Sequence, residues 1–291
     1  MKSFKYIAPD SLDGAVRALS SSSQARLLAG GTDLLTQLRA RRKTADLVID
    51  VKRIPEVNSI VYDPSKGLKL GAAVPCYRIY VDPAVTRHYP ALAETAALIG
   101  GIQIQGRATI GGNLCNAAPS ADAIPILIAL RASCRVTGPA GEREIPVEDF
   151  CVAPGKNALQ PGEILVTIDI PAPAPHSGAH YLRFIPRNEM DIAVAGAGAA
   201  VTLEDGVFRS AHLALAAVAP TPVYVRSAAE WLAGKRVTDE SIRTAAEMAK
   251  DAARPITDMR GTMEYRKHIC GVLARRALES AVRSAREGAA A

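Results

Sequence analysis

The sequence runs to 291 residues, 48% hydrophobic and 22% charged, with a net charge of +6. That length holds two domains around a sizeable core, and the composition is that of a globular protein, not a disordered or fibrous one. No apolar stretch approaches the roughly 20 residues that span a bilayer, and the opening MKSFKYIAPD has no signal-peptide apolar region, so no membrane span and a cytoplasmic location are expected.

The basic residues are scattered. RARRK, Arg39 to Lys43, is the one tight cluster and reads as a solvated helix end. Without basic–aromatic interleaving elsewhere, nucleic acid is not expected as a partner. The five cysteines (Cys76, Cys115, Cys134, Cys151, Cys270) are never closer than 17 residues and form no CxxC. Neither an iron–sulfur cluster nor a metal site is expected on this chain, and the thiols should be free.

In chain order, APDSLDGAVRALSS reads as a helix starting near Ser11, with Ala15, Val16 and Leu19 on one face. Ala25 to Leu28 reads as a strand, Gly30 to Asp33 as a turn, and Leu34 to Arg41 as a helix. DLVIDV is a second strand ending near Val51. Strand, helix and strand within some 27 residues make a parallel, right-handed βαβ unit. GLKLGAAV is a strand, YPALAETAALIG a helix ending at Gly100, and AIPILIAL a helix with Pro125 in its first turn. ASCRVTG and EILVTIDIP are strands, and PAPAPHSGA (Pro171 to Ala179) is the best linker. Beyond it, HYLRFIP, IAVAGAGAAVTLEDGVF and RSAHLALAAVA read as three antiparallel strands, with a hairpin at Asp205-Gly206. SAAEWLAG, TDESIRTAAEMAKDAA (capped by Thr238) and TMEYRKHICGVLARRALESAVRSA are helices, and EGAAA is expected to fray.

GAGAAV, Gly196 to Val201, resembles the opening of a dinucleotide fingerprint, but it lacks the third glycine and leads to a hairpin, not a helix. It reads as small residues in a buried strand. Two glycine turns remain, AGGTD at 29–33 and ATIGGN at 108–113, each before an apolar helix. Each can offer backbone N–H groups to phosphate oxygens, and neither is a Walker A loop. Two such turns in one α/β domain point to a dinucleotide-like anion.

LLAGGTDLL and ATIGGNLCNAAPSAD together resemble the FAD-binding (medium) subunit of the molybdenum hydroxylases, the xanthine dehydrogenase and carbon monoxide dehydrogenase family. PGEILVTIDIP, RFIPRNEMDIAVAGAGAAV and PITDMRGTMEYRKHICGVLARRAL resemble later segments of the same family, so the likeness runs from residue 27 to 278 in order. The resemblance implies a mixed α/β (α+β) fold. An FAD domain of the vanillyl-alcohol-oxidase (PCMH) type would occupy 1–174, with a small βαβ subdomain at 1–55 and a larger one at 56–174. A C-terminal domain of a three-stranded antiparallel sheet with a helical bundle would occupy 178–286.

It also implies site residues. Ala29, Gly30, Gly31, Thr32, Asp33 and Leu34 would hold the FAD diphosphate from one side, and Thr109, Ile110, Gly111, Gly112 and Asn113 from the other. Asp122 matches a position at the ribityl and phosphate region. Leu165 and Arg183 match positions flanking the flavin ring, and Ile99 a position beside the adenine. Asp191 and Ile192 would lie over the flavin, Ile192 being aliphatic as in xanthine dehydrogenases, where carbon monoxide dehydrogenases have an aromatic. From the residues alone, Leu165 and Ile192 also fit plain core, and Asp122 a helix cap. No residue of this chain would be catalytic towards substrate.

By the same resemblance, a small partner subunit carries two 2Fe-2S clusters and a large one the molybdopterin, in a dimer of heterotrimers. This chain would pass electrons to an acceptor. It has no cysteine-rich insertion of the 4-hydroxybenzoyl-CoA reductase kind. The alternatives are a stand-alone FAD-dependent oxidase or dehydrogenase of a small alcohol or amine, and a non-catalytic nucleotide-binding module.

Overall fold

The computed structural model describes residues 2–287, so most of the expected frayed end, 288–291, lies outside the described residues. The chain opens with β1 (Lys5–Ile7), α1 (Leu12–Ser20), β2 (Ala25–Leu28), α2 (Leu34–Arg39) and β3 (Leu47–Asp50). The βαβ unit is present, and β2 pairs parallel with β3. β1 was not expected, and it pairs parallel with the other side of β3, giving the order β1-β3-β2. Its three side chains are all exposed, so no hydrophobic alternation marks it. α1 starts where expected, with the Ser11 hydroxyl accepting from Gly14 N at 3.4 Å. α2 ends two residues early, at Arg39, and Arg41 takes a left-handed φ of 57°. The RARRK segment is exposed, as a solvated helix end should be.

A five-stranded antiparallel sheet follows, built from β4 (Ile60–Asp63), β5 (Gly67–Gly71), β6 (Ser133–Gly138), β7 (Gly141–Pro146) and, after the short pair β8 (Cys151–Ala153) and β9 (Lys156–Asn157), β10 (Ile164–Ile170). Its order is β4-β5-β10-β6-β7. β10 is central and buried almost throughout, and so reads as a continuous apolar run. Between β5 and β6 lie six helices: α3 (Cys76–Val81), α4 (Pro83–His88), α5 (Pro90–Leu98), α6 (Ile102–Gln105), α7 (Ile110–Asn116) and α8 (Ala123–Ala129). A further short helix, α9 (Val147–Phe150), follows β7. The second glycine pair is not a turn. Gly111 and Gly112 lie in the first turn of α7, capped by Thr109, whose Oγ1 accepts from Gly112 N at 2.8 Å.

The C-terminal part has β11 (Ser177–Phe184), β12 (Ala195–Glu204), β13 (Val207–Ala216) and an added edge pair, β14 (Val223–Tyr224). β11 begins inside the expected linker, where Gly178 lets the chain approach the last helix. A side-chain carbon there would meet the Ala281 carbonyl oxygen at 2.2 Å. Three helices cover the sheet: α10 (Arg226–Leu232), α11 (Asp239–Ala252) and α12 (Met263–Glu287). Thr238 and Ser241 form a capping box on α11.

The GAGAA stretch is a buried strand with two working faces. Ala195, Ala197 and Ala199 pack in one core with Ala274, Ala277 and Ala281 of α12. Gly198 faces α8 instead, where a side-chain carbon would lie 2.7 Å from the Pro125 carbonyl carbon. The small residues thus let β12 be sandwiched between helices of the two halves of the chain.

Candidate cofactor site

The first glycine segment follows β2, the second follows α6 and opens α7, and the two come to one place. Gly30 lies against the backbone that precedes α7: a side-chain carbon on it would meet the Arg107 carbonyl oxygen at 2.0 Å. Gly111 lies as close to the end of β5, 2.3 Å from the Ala72 carbonyl oxygen by the same measure. These two glycines bring backbone to backbone. Gly112 differs, since beyond its own helix only Thr109 Oγ1, at 2.8 Å, would meet a side-chain carbon.

Between the segments is a cavity of about 500 Å³, a size suited to a cofactor or drug-sized ligand. Ala29 to Leu34 line one side and Thr109, Gly111, Gly112 and Asn113 the other, with Ile99 and Leu165 as apolar wall. Among the described residues, the N–H groups of Gly30, Gly31, Thr32, Ile110 and Gly111 donate to no protein acceptor. Four of these residues, Gly30, Gly31, Thr32 and Gly111, line the cavity, and unpaired backbone donors at a cavity wall suit an anion. Lys43 also borders the cavity, although RARRK read only as a solvated end. Gln37 Nε2 donates to Asn116 Oδ1 at 3.1 Å and ties α2 to α7 across the site. Asn157, from β9, lines the cavity and donates to the Cys115 carbonyl at 2.8 Å. No motif marks Asn157, because it arrives by tertiary packing alone.

Five expected site residues do not line this cavity. Ile110 points into the core under α7 and is 1% exposed. Asp122 is buried beside α8, where its carboxylate accepts from Arg183 Nη1 at 2.6 Å and from the Tyr181 hydroxyl at 2.8 Å. Burial pushes the Asp122 carboxyl up, and Arg183 and Tyr181 oppose it. It caps no helix. The cluster touches the cavity wall indirectly, since Asn113 Oδ1 accepts from Ala123 N at 3.3 Å. Asp191 lies in a surface loop, 3.7 Å from Arg187 and 4.0 Å from Arg260, and Ile192 beside it is half exposed. That loop rests against Gly101, two residues beyond Ile99, with Met190 and Glu189 closest.

None of the five histidines lines the cavity. His88 stacks on Tyr62 and His212 on Tyr224. Cys115 borders the cavity, but burial, then Cys151, push its thiol up to about 12, so it is no nucleophile at neutral pH. Among the described residues no group of three or more His, Cys, Asp or Glu is placed to hold a metal.

Residues 2–173 match the family model for the FAD binding domain in molybdopterin dehydrogenase, and residues 180–281 that for the CO dehydrogenase flavoprotein C-terminal domain. The chain is 31% identical over 281 residues to the xanthine dehydrogenase FAD-binding subunit of Escherichia coli, covering 96% of each chain. It is 33% identical over 279 residues to the carbon monoxide dehydrogenase medium chain of Hydrogenophaga pseudoflava, again covering 96% of each. Among solved structures it is similar to carbon monoxide dehydrogenase from Hydrogenophaga pseudoflava (TM-score 0.93, 33% identity, 97% of this chain and 98% of that one). It is also similar to quinoline 2-oxidoreductase from Pseudomonas putida 86 (TM-score 0.90, 28% identity, 99% and 100%).

Proposed function

The chain belongs to the family of FAD-binding subunits of xanthine and carbon monoxide dehydrogenase-type molybdenum hydroxylases, and from that premise we propose that it is the electron-passing subunit of a three-chain oxidoreductase. A small partner carrying two 2Fe-2S clusters feeds it electrons, a large molybdopterin partner acts on the substrate, and an external acceptor takes the electrons away. Bound FAD supplies the redox chemistry, and this chain binds and shields it.

The observation that carries this reading is the set of unpaired N–H groups on two glycine segments facing one cavity. Gly30, Gly31 and Thr32 bind the diphosphate from one side and Gly111 from the other. Ala29, Asp33, Leu34, Thr109, Gly112 and Asn113 complete the cradle, and Lys43 adds positive charge at the rim. Ile99 and Leu165 give apolar contact to the rings. Asp122 and Arg183 act beyond Asn113, as a neutralised buried pair bordering the flavin end, and the Asp191–Ile192 loop lies at the acceptor's approach. The FAD-binding part is 1–174 and the C-terminal domain 178–286. Among the described residues no helix is long and apolar enough to cross a membrane, in keeping with work in the cytoplasm.

The purified chain should bind FAD non-covalently, one per chain. Gly112→Val puts a branched side chain at the cavity wall, where only the Thr109 hydroxyl, at 2.8 Å, must shift, and should abolish binding while the chain stays folded. A mutant that holds FAD as the wild type does would remove the basis of the site.

A further inference from the structure

The loop Ala29–Asp33 has to aim its N–H groups at the ligand. In a planar trans peptide the C=O and the following N–H point in opposite directions. Whatever fixes a carbonyl on one side of the loop therefore turns the next N–H to the other side. Two cations fix consecutive carbonyls here. Lys52 Nζ donates to the Ala29 carbonyl at 3.1 Å, and Arg107 Nε donates to the Gly30 carbonyl at 3.2 Å. The N–H groups that follow these carbonyls, on Gly30 and Gly31, are two of the unpaired donors. Neither Lys52 nor Arg107 lines the cavity. Arg107 instead lines a second cavity of about 490 Å³, which Gly30, Gly31 and Thr32 also border. Gly31, at φ +80°, supplies the left-handed residue found where successive N–H groups converge on an anion.

Lys52 is itself held. Its ammonium lies 2.6 Å from Asp50 Oδ1, and the other carboxylate oxygen accepts from the Tyr6 hydroxyl at 2.7 Å. Asp50 is buried at the end of β3, and Tyr6 comes from the edge strand β1. Burial works to raise the Asp50 carboxyl, but hydrogen bonds from Lys52 and Tyr6 outweigh it and keep it below the usual carboxylate range. An ionised Asp50 leaves Lys52 one preferred place, against the Ala29 carbonyl.

We propose that Lys52 and Arg107 are positioning residues that clamp the Ala29 and Gly30 carbonyls away from the cavity and so preset the Gly30 and Gly31 N–H groups for the FAD diphosphate, with Asp50 and Tyr6 bracing Lys52. The inference rests on the FAD reading above and adds what aims the donors. Preset donors need no reorganisation when the anion arrives. The clamps also place two positive charges behind the loop, on the side away from the ligand.

The test uses the full chain with FAD. Lys52→Met and Arg107→Met should each weaken FAD binding about tenfold or more, whereas Lys52→Arg, which keeps a donor within reach of the Ala29 carbonyl, should restore most of the affinity. The phosphorus NMR signals of bound FAD should shift in both methionine variants and stay near the wild-type positions in Lys52→Arg. A mutation acting only through general stability would lower the melting temperature of the FAD-free chain and leave the bound phosphorus signals in place. That result overturns the proposal, as does wild-type affinity in both methionine variants. If Lys52→Met does not fold, Tyr6→Phe, which loosens only the brace, carries the same comparison of affinity and phosphorus shift. Failure of the wild-type chain to bind FAD would instead refute the underlying reading.

Discussion

At the scale of single residues, the glycines were legible and their supports were not. Paired glycines before apolar runs announce a close backbone approach, because no other residue lacks a side-chain carbon. Gly30 and Gly111 do lie against backbone, at Arg107 and Ala72. Lys52 and Arg107 gave no such signal, since their partners are carbonyls 23 and 77 residues away. Any lysine or arginine reads as solvated until the fold shows what it reaches. The brace makes a prediction about pH. Asp50 has a folded pKa below its ordinary 3.8, so its contribution to stability is fully present above that value and is lost as pH falls through the folded value. The difference in melting temperature between wild type and Asp50→Asn should hold steady from neutral pH down to about 4 and then close. A difference that persists in acid would mean that the carboxylate charge does not carry the brace.

At the scale of elements, long periodic segments were readable and short or two-faced ones were not. The α11 cap at Thr238 stands in the sequence as a polar residue ahead of an acidic first turn, and the structure has a capping box there. β1 is three exposed residues, paired only because β3 offers an edge. The second glycine pair looked like a turn because glycine disfavours helix interiors. Thr109 capping and the need to approach Ala72 override that preference in α7. β12 was correctly read as small residues in a strand, but its second neighbour could not be known without the fold. Gly198→Val tests that neighbour. Its side chain would collide with the backbone at Pro125, and overpacking of this kind costs about 1–3 kcal/mol. Denaturant unfolding should show that loss, with α8 displaced from the sheet. Unchanged stability would mean that β12 and α8 are not in the close contact described here.

At the scale of the whole molecule, the C-terminal part is locked to the FAD half through buried contacts. The Tyr181 hydroxyl and Arg183 Nη1 of β11 donate to the Asp122 carboxylate at 2.8 and 2.6 Å, and Ala217 N donates to the Pro119 carbonyl at 2.7 Å. None of the five histidines lines the cavity. The chain belongs to the flavin subunits of multi-chain molybdenum enzymes, so its assembly is what has to be measured. The most direct measurement is to purify a tagged chain from its native host and determine FAD, iron and molybdenum in the same material. The account predicts all three together, with one FAD per copy and the iron of two 2Fe-2S clusters. Recovery of the chain alone, carrying FAD and oxidising a small alcohol or amine by itself, would contradict it.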